Sequence, residues 1–277
     1  YLYPLFFFLY TLHSTLFPLS ASAQMFVPKG GERIIGNVRG ANPAGMYSLP
    51  TVSGGERIPL ITGSNFTYNG SGLFNGEYYI ATSWTQAFGT YFVYHYMFDP
   101  TTWEGRGHYE GSVGTIATDM DYCKADKRIY GCFYNDSGDG YVFGYISISG
   151  SYWERVAVCE LTDSWVGFAI HPDGTFYCIT NRGRLCTVDP ATGSMTEVGN
   201  TGLSPRYVGS ATISAETKRL YFNLIDNSQM SYLYAIDTAT AEATKLYQVG
   251  SAQPVYGMYV PAPLAENGAP AAVEDFT

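Results

Sequence analysis

Leu185-Cys186-Thr187-Val188-Asp189-Pro190-Ala191-Thr192-Gly193 reads as a strand that stops at an Asp-Pro turn, and Leu233-Tyr234-Ala235-Ile236-Asp237-Thr238-Ala239-Thr240 repeats it with the same spacing. Three earlier copies lie at residues 45–51 (GMYSLPT), 94–101 (YHYMFDPT) and 142–148 (VFGYISI). Taken at Leu49, Phe98, Ile146, Val188 and Ile236, they recur at steps of 49, 48, 42 and 48 residues. A period of about 40 to 50 residues is the length of one four-stranded blade of a β-propeller.

The flanking strands repeat too. About a dozen residues before each copy comes an aromatic-rich strand, at 78–80 (YYI), 129–131 (IYG), 176–178 (FYC) and 220–222 (LYF). Before those lie small, apolar segments suited to the crowded axis of a propeller, at 116–120 (IATDM), 166–170 (VGFAI) and 208–212 (VGSAT). Outer strands follow the Asp turns, at 196–199 and 244–247, and His171-Pro172-Asp173-Gly174 is a tight connection of the same kind. The first copy lacks an inner strand, whereas residues 255–260 (VYGMYV) are left over after the fifth. The reading is therefore all-β: one propeller over 24–263, of five four-stranded blades, in which the C-terminal strand completes the first blade and removes the open edges. Six blades are the fallback, if the Gly/Asn-rich stretch 62–76 hides another strand pair.

On its Val188–Gly193 and Tyr234–Thr240 turns the chain resembles the exported bacterial propeller-repeat proteins whose blades carry a YxIDxxTG-like turn. More narrowly, it is similar to secreted surface proteins in which a propeller precedes fibronectin type III modules. Two copies depart from the pattern, with Ser147-Ile148-Ser149-Gly150 in the third and Pro50 in the first. The resemblance implies an extracellular or surface role in binding, and a fold by itself leaves function open.

The ends bear on the address. Residues 1–23 are apolar and uncharged, broken by Pro4, His13 and Pro18, and close on Ala21-Ser22-Ala23, a small-x-small cleavage pattern. They are expected to be an export signal whose first codons are missing, rather than an anchor, so that the mature domain inserts in no membrane. Residues 264–277 are expected to be a Pro/Ala-rich linker and the start of a further domain, APAAVEDFT being similar to the opening of a fibronectin type III module. An extracellular or cell-surface location is expected, the periplasm being the other exported address.

Composition narrows the partners. Five Lys and ten Arg against 24 Asp plus Glu give the 277 residues a net charge of −9, with no basic cluster, which argues against nucleic acid. Gly 31, Tyr 25 and Phe 16 suit strands and turns. Five cysteines (Cys123, Cys132, Cys159, Cys178, Cys186) leave at least one unpaired, and no CxxC spacing occurs. Cys178 and Cys186 should face each other across a hairpin, as a disulfide or as two buried thiols.

No G-x-S-x-G is present, and the four His are scattered (13, 95, 108, 171). His95 reads as a strand residue and His171 as a turn residue. Asp119 and Asp121 stand two apart on an inner strand, as carboxylates at a channel mouth would in a propeller-type glycoside hydrolase or lyase. The run 135–140 (NDSGDG) has acidic calcium-loop spacing without the remaining ligands, and reads as a hairpin turn. No metal, cofactor or catalytic residue is assigned.

Surface aromatics remain, among them Trp84, Trp103, Trp153 and Trp165, most of which should pack between blades. The connections between blades, and between second and third strands, form the expected ligand face. The candidate ligand-binding residues on it are Trp84, Asp136, Asp139, Trp165, Arg182, Arg206, Tyr207 and Asp226. The leading expectation is a noncatalytic, monomeric binding propeller that recognises a glycan or a protein. The carboxylate enzyme and a structural spacer stand as alternatives.

Overall fold

The computed structural model describes residues 32–63, 71–207 and 209–261. The expected signal and the expected linker with its following domain lie outside the described residues, as does Val208. Strands are numbered in chain order. β1 (Arg33–Val38), β2 (Gly45–Pro50) and β3 (Ile58–Thr62) form a sheet with the last strand, β20 (Val255–Tyr259), in the order β20-β1-β2-β3. β4 (Gly72–Phe74), β5 (Tyr79–Ala87), β6 (Thr90–Phe98) and β7 (Gly105–Gly111) make an antiparallel meander. So do β8 (Ala117–Cys123), β9 (Arg128–Tyr134), β10 (Tyr141–Ser149) and β11 (Tyr152–Leu161).

These two meanders join edge to edge, because Tyr152 and Trp153 of β11 pair in parallel with Glu110 and Gly111 of β7. One eight-stranded sheet results. Two more meanders follow: β12 (Trp165–Ile170), β13 (Phe176–Thr180), β14 (Arg184–Val188) and β15 (Met195–Asn200), then β16 (Ser210–Ile213), β17 (Arg219–Ile225), β18 (Met230–Asp237) and β19 (Ala243–Ser251). The repeat read from the sequence thus falls on β2, β6, β10, β14 and β18.

The first strands β4, β8, β12, β16 and β20 pack each on the next, and β20 returns to β4, so they surround one axis in a propeller arrangement. Burial follows position: every residue of β12 and β16 is buried, while β15 at the rim is largely exposed. Small side chains such as Ala117, Ala169 and Ala211 suit the axis, and larger ones such as Phe143, Phe168, Leu185, Phe222 and Leu233 fill the layers between sheets.

The Asp turns explain why the repeat is legible. Asp99, Asp189 and Asp237 each accept, on one side-chain oxygen, the backbone N–H two residues on, and their own carbonyls accept the N–H four residues on. That fourth residue adopts a left-handed conformation in all three turns: Trp103 (φ 59°), Gly193 (73°) and Ala241 (62°). The side chains of Trp103 and Ala241 are thereby turned into the interior, where both are buried.

Closure depends on β20. It pairs antiparallel with β1 through Ile35↔Tyr259, Asn37↔Tyr256 and Val38↔Val255, and Tyr259 stacks on Phe74 with ring centroids 4.9 Å apart. Gly257 (φ 57°) lets it pass β4, since a Cβ there would sit 2.4 Å from Tyr79 Oη and 2.6 Å from Gly72 Cα.

Trp103, Trp153 and Trp165 are core residues. His95 is a satisfied core residue, hydrogen-bonded to the hydroxyls of Thr82 (3.1 Å) and Thr115 (3.0 Å) and stacked on Trp153 at 4.0 Å. Burial lowers its pKa to about 3, so it stays neutral. Cys178 and Cys186 do face each other on β13 and β14, as free thiols, and both are buried.

Candidate functional site

Asp119 occupies the axis. Its Oδ2 accepts the backbone N–H of Phe168 on β12 (2.8 Å) and of Ala211 on β16 (2.7 Å), and its Oδ1 accepts the hydroxyl of Ser210 (3.1 Å). Ser210 Oγ in turn accepts the N–H of Met258 on β20 (3.1 Å), and Thr118 donates to the carbonyl of Trp165 (2.6 Å). One carboxylate on β8 therefore fastens inner strands that cannot pair as a ladder, because they diverge around the axis. Burial raises its pKa well above the carboxylate range, against the pull of the same hydrogen bonds.

Asp121 lies two residues further along, its two oxygens accepting the N–H of Tyr122 (2.7 Å) and of Ile170 (2.8 Å). The two carboxylates of the enzyme alternative are thus both engaged by backbone donors. Burial pushes the Asp121 carboxyl from 3.8 up to about 7. The folded state then holds this proton more tightly than the unfolded chain does. Its contribution to stability is complete below about pH 4 and is lost as pH rises to about 7. Thermal unfolding followed across that interval should show a shallower decline in Asp121→Asn than in the natural chain. The neutral His95 acts with the opposite sign on the same interval, and the difference between the two proteins removes it.

At the end of the axis where the inner strands begin, a cavity of about 810 Å³ opens to solvent. Trp84, Tyr134, Tyr207 and Tyr256 supply its aromatic walls, and Ser71, Gln229 and Arg39 its polar groups. Arg39 is the one charged side chain among the described lining residues, notable in a chain of net charge −9. Burial raises the phenol pKa values of Tyr134 and Tyr256, the latter partly offset by the neighbouring Arg39 guanidinium. Gln229 donates to the Tyr207 hydroxyl at 3.4 Å, and Ser71 Oγ is buried with no hydrogen-bond partner among the described residues.

Two of the residues expected from sequence, Trp84 and Tyr207, meet in this cavity, and Arg206 lies over the Tyr207 ring at 5.2 Å. Trp165 is not on the surface: it is fully buried, its ring 5.1 Å from Phe143 and 5.9 Å from Phe168, because the neighbouring sheet covers the start of β12. The others hold local structure around the rim. Asp136 pairs with Arg155 (2.8 Å) and Arg182 with Asp163 (3.2 Å). Asp139 accepts from Asn135 and Ser137 inside the 135–140 hairpin turn, which lowers its pKa. Asp226 caps its own turn by accepting the N–H groups of Ser228 and Met230, beside a separate shallow cavity.

Arg39, Ser71, Tyr134, Gln229 and Tyr256 were not singled out by sequence. Tyr256 carried a usable signal: it stands near the start of the left-over strand 255–260, where an inner strand meets the axial mouth. No described helix is long and apolar enough to cross a membrane.

No protein-family model matches the chain, and no curated protein matches it. Among solved structures, a protein of unknown function from Bacteroides caccae superposes with a TM-score of 0.50 at 10% identity, over 82% of this chain and 98% of that one. TolB from Acinetobacter baumannii gives 0.49 at 15% identity over 82% of this chain, which spans about half of the TolB chain (54%). The periplasmic gluconolactonase PpgL of Pseudomonas aeruginosa gives 0.45 at 9%, over 79% and 83%. At such identities the likeness is one of fold.

Proposed function

We propose that the chain is a five-bladed, noncatalytic binding propeller of an exported protein, which recognises a glycan or protein ligand in the cavity at the start of the inner strands. The observation that carries this reading is the lining of that cavity. Aromatic faces of Trp84, Tyr134, Tyr207 and Tyr256 offer stacking area at small entropic cost, and Ser71, Gln229 and Arg39 offer directional hydrogen bonds. A hydrolase would have to work without Asp119, whose carboxyl is taken up by three donors in the axis. Export and presentation ahead of a further domain rest on the resemblance and on residues 1–23 and 264–277.

A glycan and protein array probed with the mature chain tests the proposal. Trp84→Ala and Tyr207→Ala should each weaken a true ligand about tenfold or more, as truncated aromatic anchors do. Trp165→Ala is unsuitable as a site variant, being a core truncation. A folded protein that binds nothing on the array, or binding unchanged by both substitutions, would overturn the assignment and leave the spacer.

A further inference from the structure

The rings of the aromatic cavity do not account for its charge. Its described lining holds no Asp or Glu, and its one charged side chain is Arg39, in a chain where acids outnumber bases by 24 to 15. Carboxylates gather instead at the opposite mouth, where the inner strands end: Glu32, Asp121 and Glu216 line a smaller cavity there, beside Lys124 and His171. Concave walls concentrate the field of the charges that line them, so an anion is favoured at the Arg39 end of the axis.

Arg39 is held in place and left unneutralised. Its backbone N–H donates to the carbonyl of Pro254 at 3.0 Å, so the closure of β1 on β20 fixes where the side chain starts. Burial raises the phenol pKa of Tyr256 and the Arg39 guanidinium pulls it back, which places that guanidinium beside a hydroxyl of the cavity wall. Arg106, Arg128, Arg155, Arg182 and Arg184 each pair with a carboxylate, whereas Arg39 forms no ion pair among the described residues. Neither does Arg206, whose guanidinium lies over the Tyr207 ring at 5.2 Å and donates to the carbonyl of Asn227 at 3.4 Å. Two guanidiniums at one aromatic cavity therefore keep their capacity for a carboxylate.

That capacity, combined with the ring faces, selects among ligands. Trp84, Tyr134, Tyr207 and Tyr256 give flat apolar area edged by phenol hydroxyls, which suits a pyranose: its C–H face stacks and its own hydroxyls bond at the edge. A cavity of about 810 Å³ admits a slender chain, whereas a folded protein partner would need a broad face of about 800 Å². Taking this cavity as the ligand site proposed above, we infer that its ligand is an acidic glycan, in which a carboxylate-bearing pyranose stacks on the aromatic wall and sets its carboxylate against Arg39.

The test is a calorimetric titration of the full chain with trigalacturonate, a hyaluronate tetrasaccharide and sialyllactose, each beside its methyl ester, which keeps the shape and removes the charge. Triglutamate, which carries carboxylates without a sugar ring, is the control. At least one acid should bind saturably and about tenfold or more tighter than its ester. Its affinity should fall several-fold as NaCl rises from about 0.05 M to about 0.5 M. Arg39→Gln, a mild change at an exposed side chain, should bring acid and ester to equal affinity, and Arg39→Lys should keep part of the preference. Arg206→Gln should reduce the preference about two- to fivefold. The ester comparison and the salt response use the natural chain and stand without any variant. Esters bound as tightly as acids, or a preference that survives Arg39→Gln, would overturn the acidic ligand and leave the binding propeller standing. Triglutamate bound as tightly as the acidic sugars would overturn it in favour of a peptide. If none of the acids binds, the inference falls, and the wider array decides separately whether the cavity takes another ligand.

Discussion

Asp119→Ala should lower the free energy of unfolding by about 4 kcal/mol, a large share of the 5–15 kcal/mol typical of a folded domain. The alanine leaves the N–H groups of Phe168 and Ala211 buried with no acceptor, and each stranded donor costs about 1–3 kcal/mol. It also frees Ser210, which positions Met258 of β20, so the loss spreads from β8 to three other inner strands. Urea unfolding is the measurement, with a lower midpoint and an unchanged slope as the expected outcome. A shift below about 1 kcal/mol would mean that water replaces the carboxylate and that the axis is not held by it. A catalytic Asp119 would behave otherwise, losing activity with little loss of stability.

A chain ended at Pro254 should fail to reach a soluble folded state. It lacks Val255, Met258 and Tyr259, all buried, each worth about 1.5–3 kcal/mol by burial alone. It also loses the hydrogen bonds from Val255 N–H to Asn223 Oδ1 (2.9 Å) and from Met258 N–H to Ser210 Oγ (3.1 Å). β1 would become a bare sheet edge, a template for pairing between molecules. Size-exclusion chromatography and circular dichroism read the result. A monomer with native spectra would show that the ring holds without its final strand. Gly257→Val is the milder version, since it keeps the strand and removes only the left-handed residue that clears Tyr79 and Gly72.

What the sequence revealed and what it hid differ in range. The turns at Asp99, Asp189 and Asp237 are local devices, built from a side chain and the backbone two to four residues on, so each is visible in its own few letters. The strand 255–260 was legible as an inner strand because its small, apolar pattern matches 166–170. β4 was not, since three residues (Gly72–Phe74) carry no periodicity. The parallel seam between β7 and β11 depends on two pairs of residues more than 40 apart, with no motif to mark it.

The site follows the same rule. Tyr207 is a large aromatic on a connection and Trp84 one within β5, and composition flags both. Whether such a residue faces solvent or a neighbouring sheet is decided elsewhere in the chain. Trp165 went inward for that reason, held between Phe143 of the preceding sheet and Phe168 of its own. Arg39 and Tyr256 meet only because β1 and β20 pair across more than 200 residues.

That last pairing sets a schedule for birth as well as a shape. β1 leaves the ribosome first and its partner β20 last, more than 200 residues later, which at about 5–20 residues per second is a wait of roughly 10 to 45 seconds. Through that interval the nascent chain is an open arc with an unsatisfied β1 edge, and whatever shields that edge during synthesis governs how much ring is made.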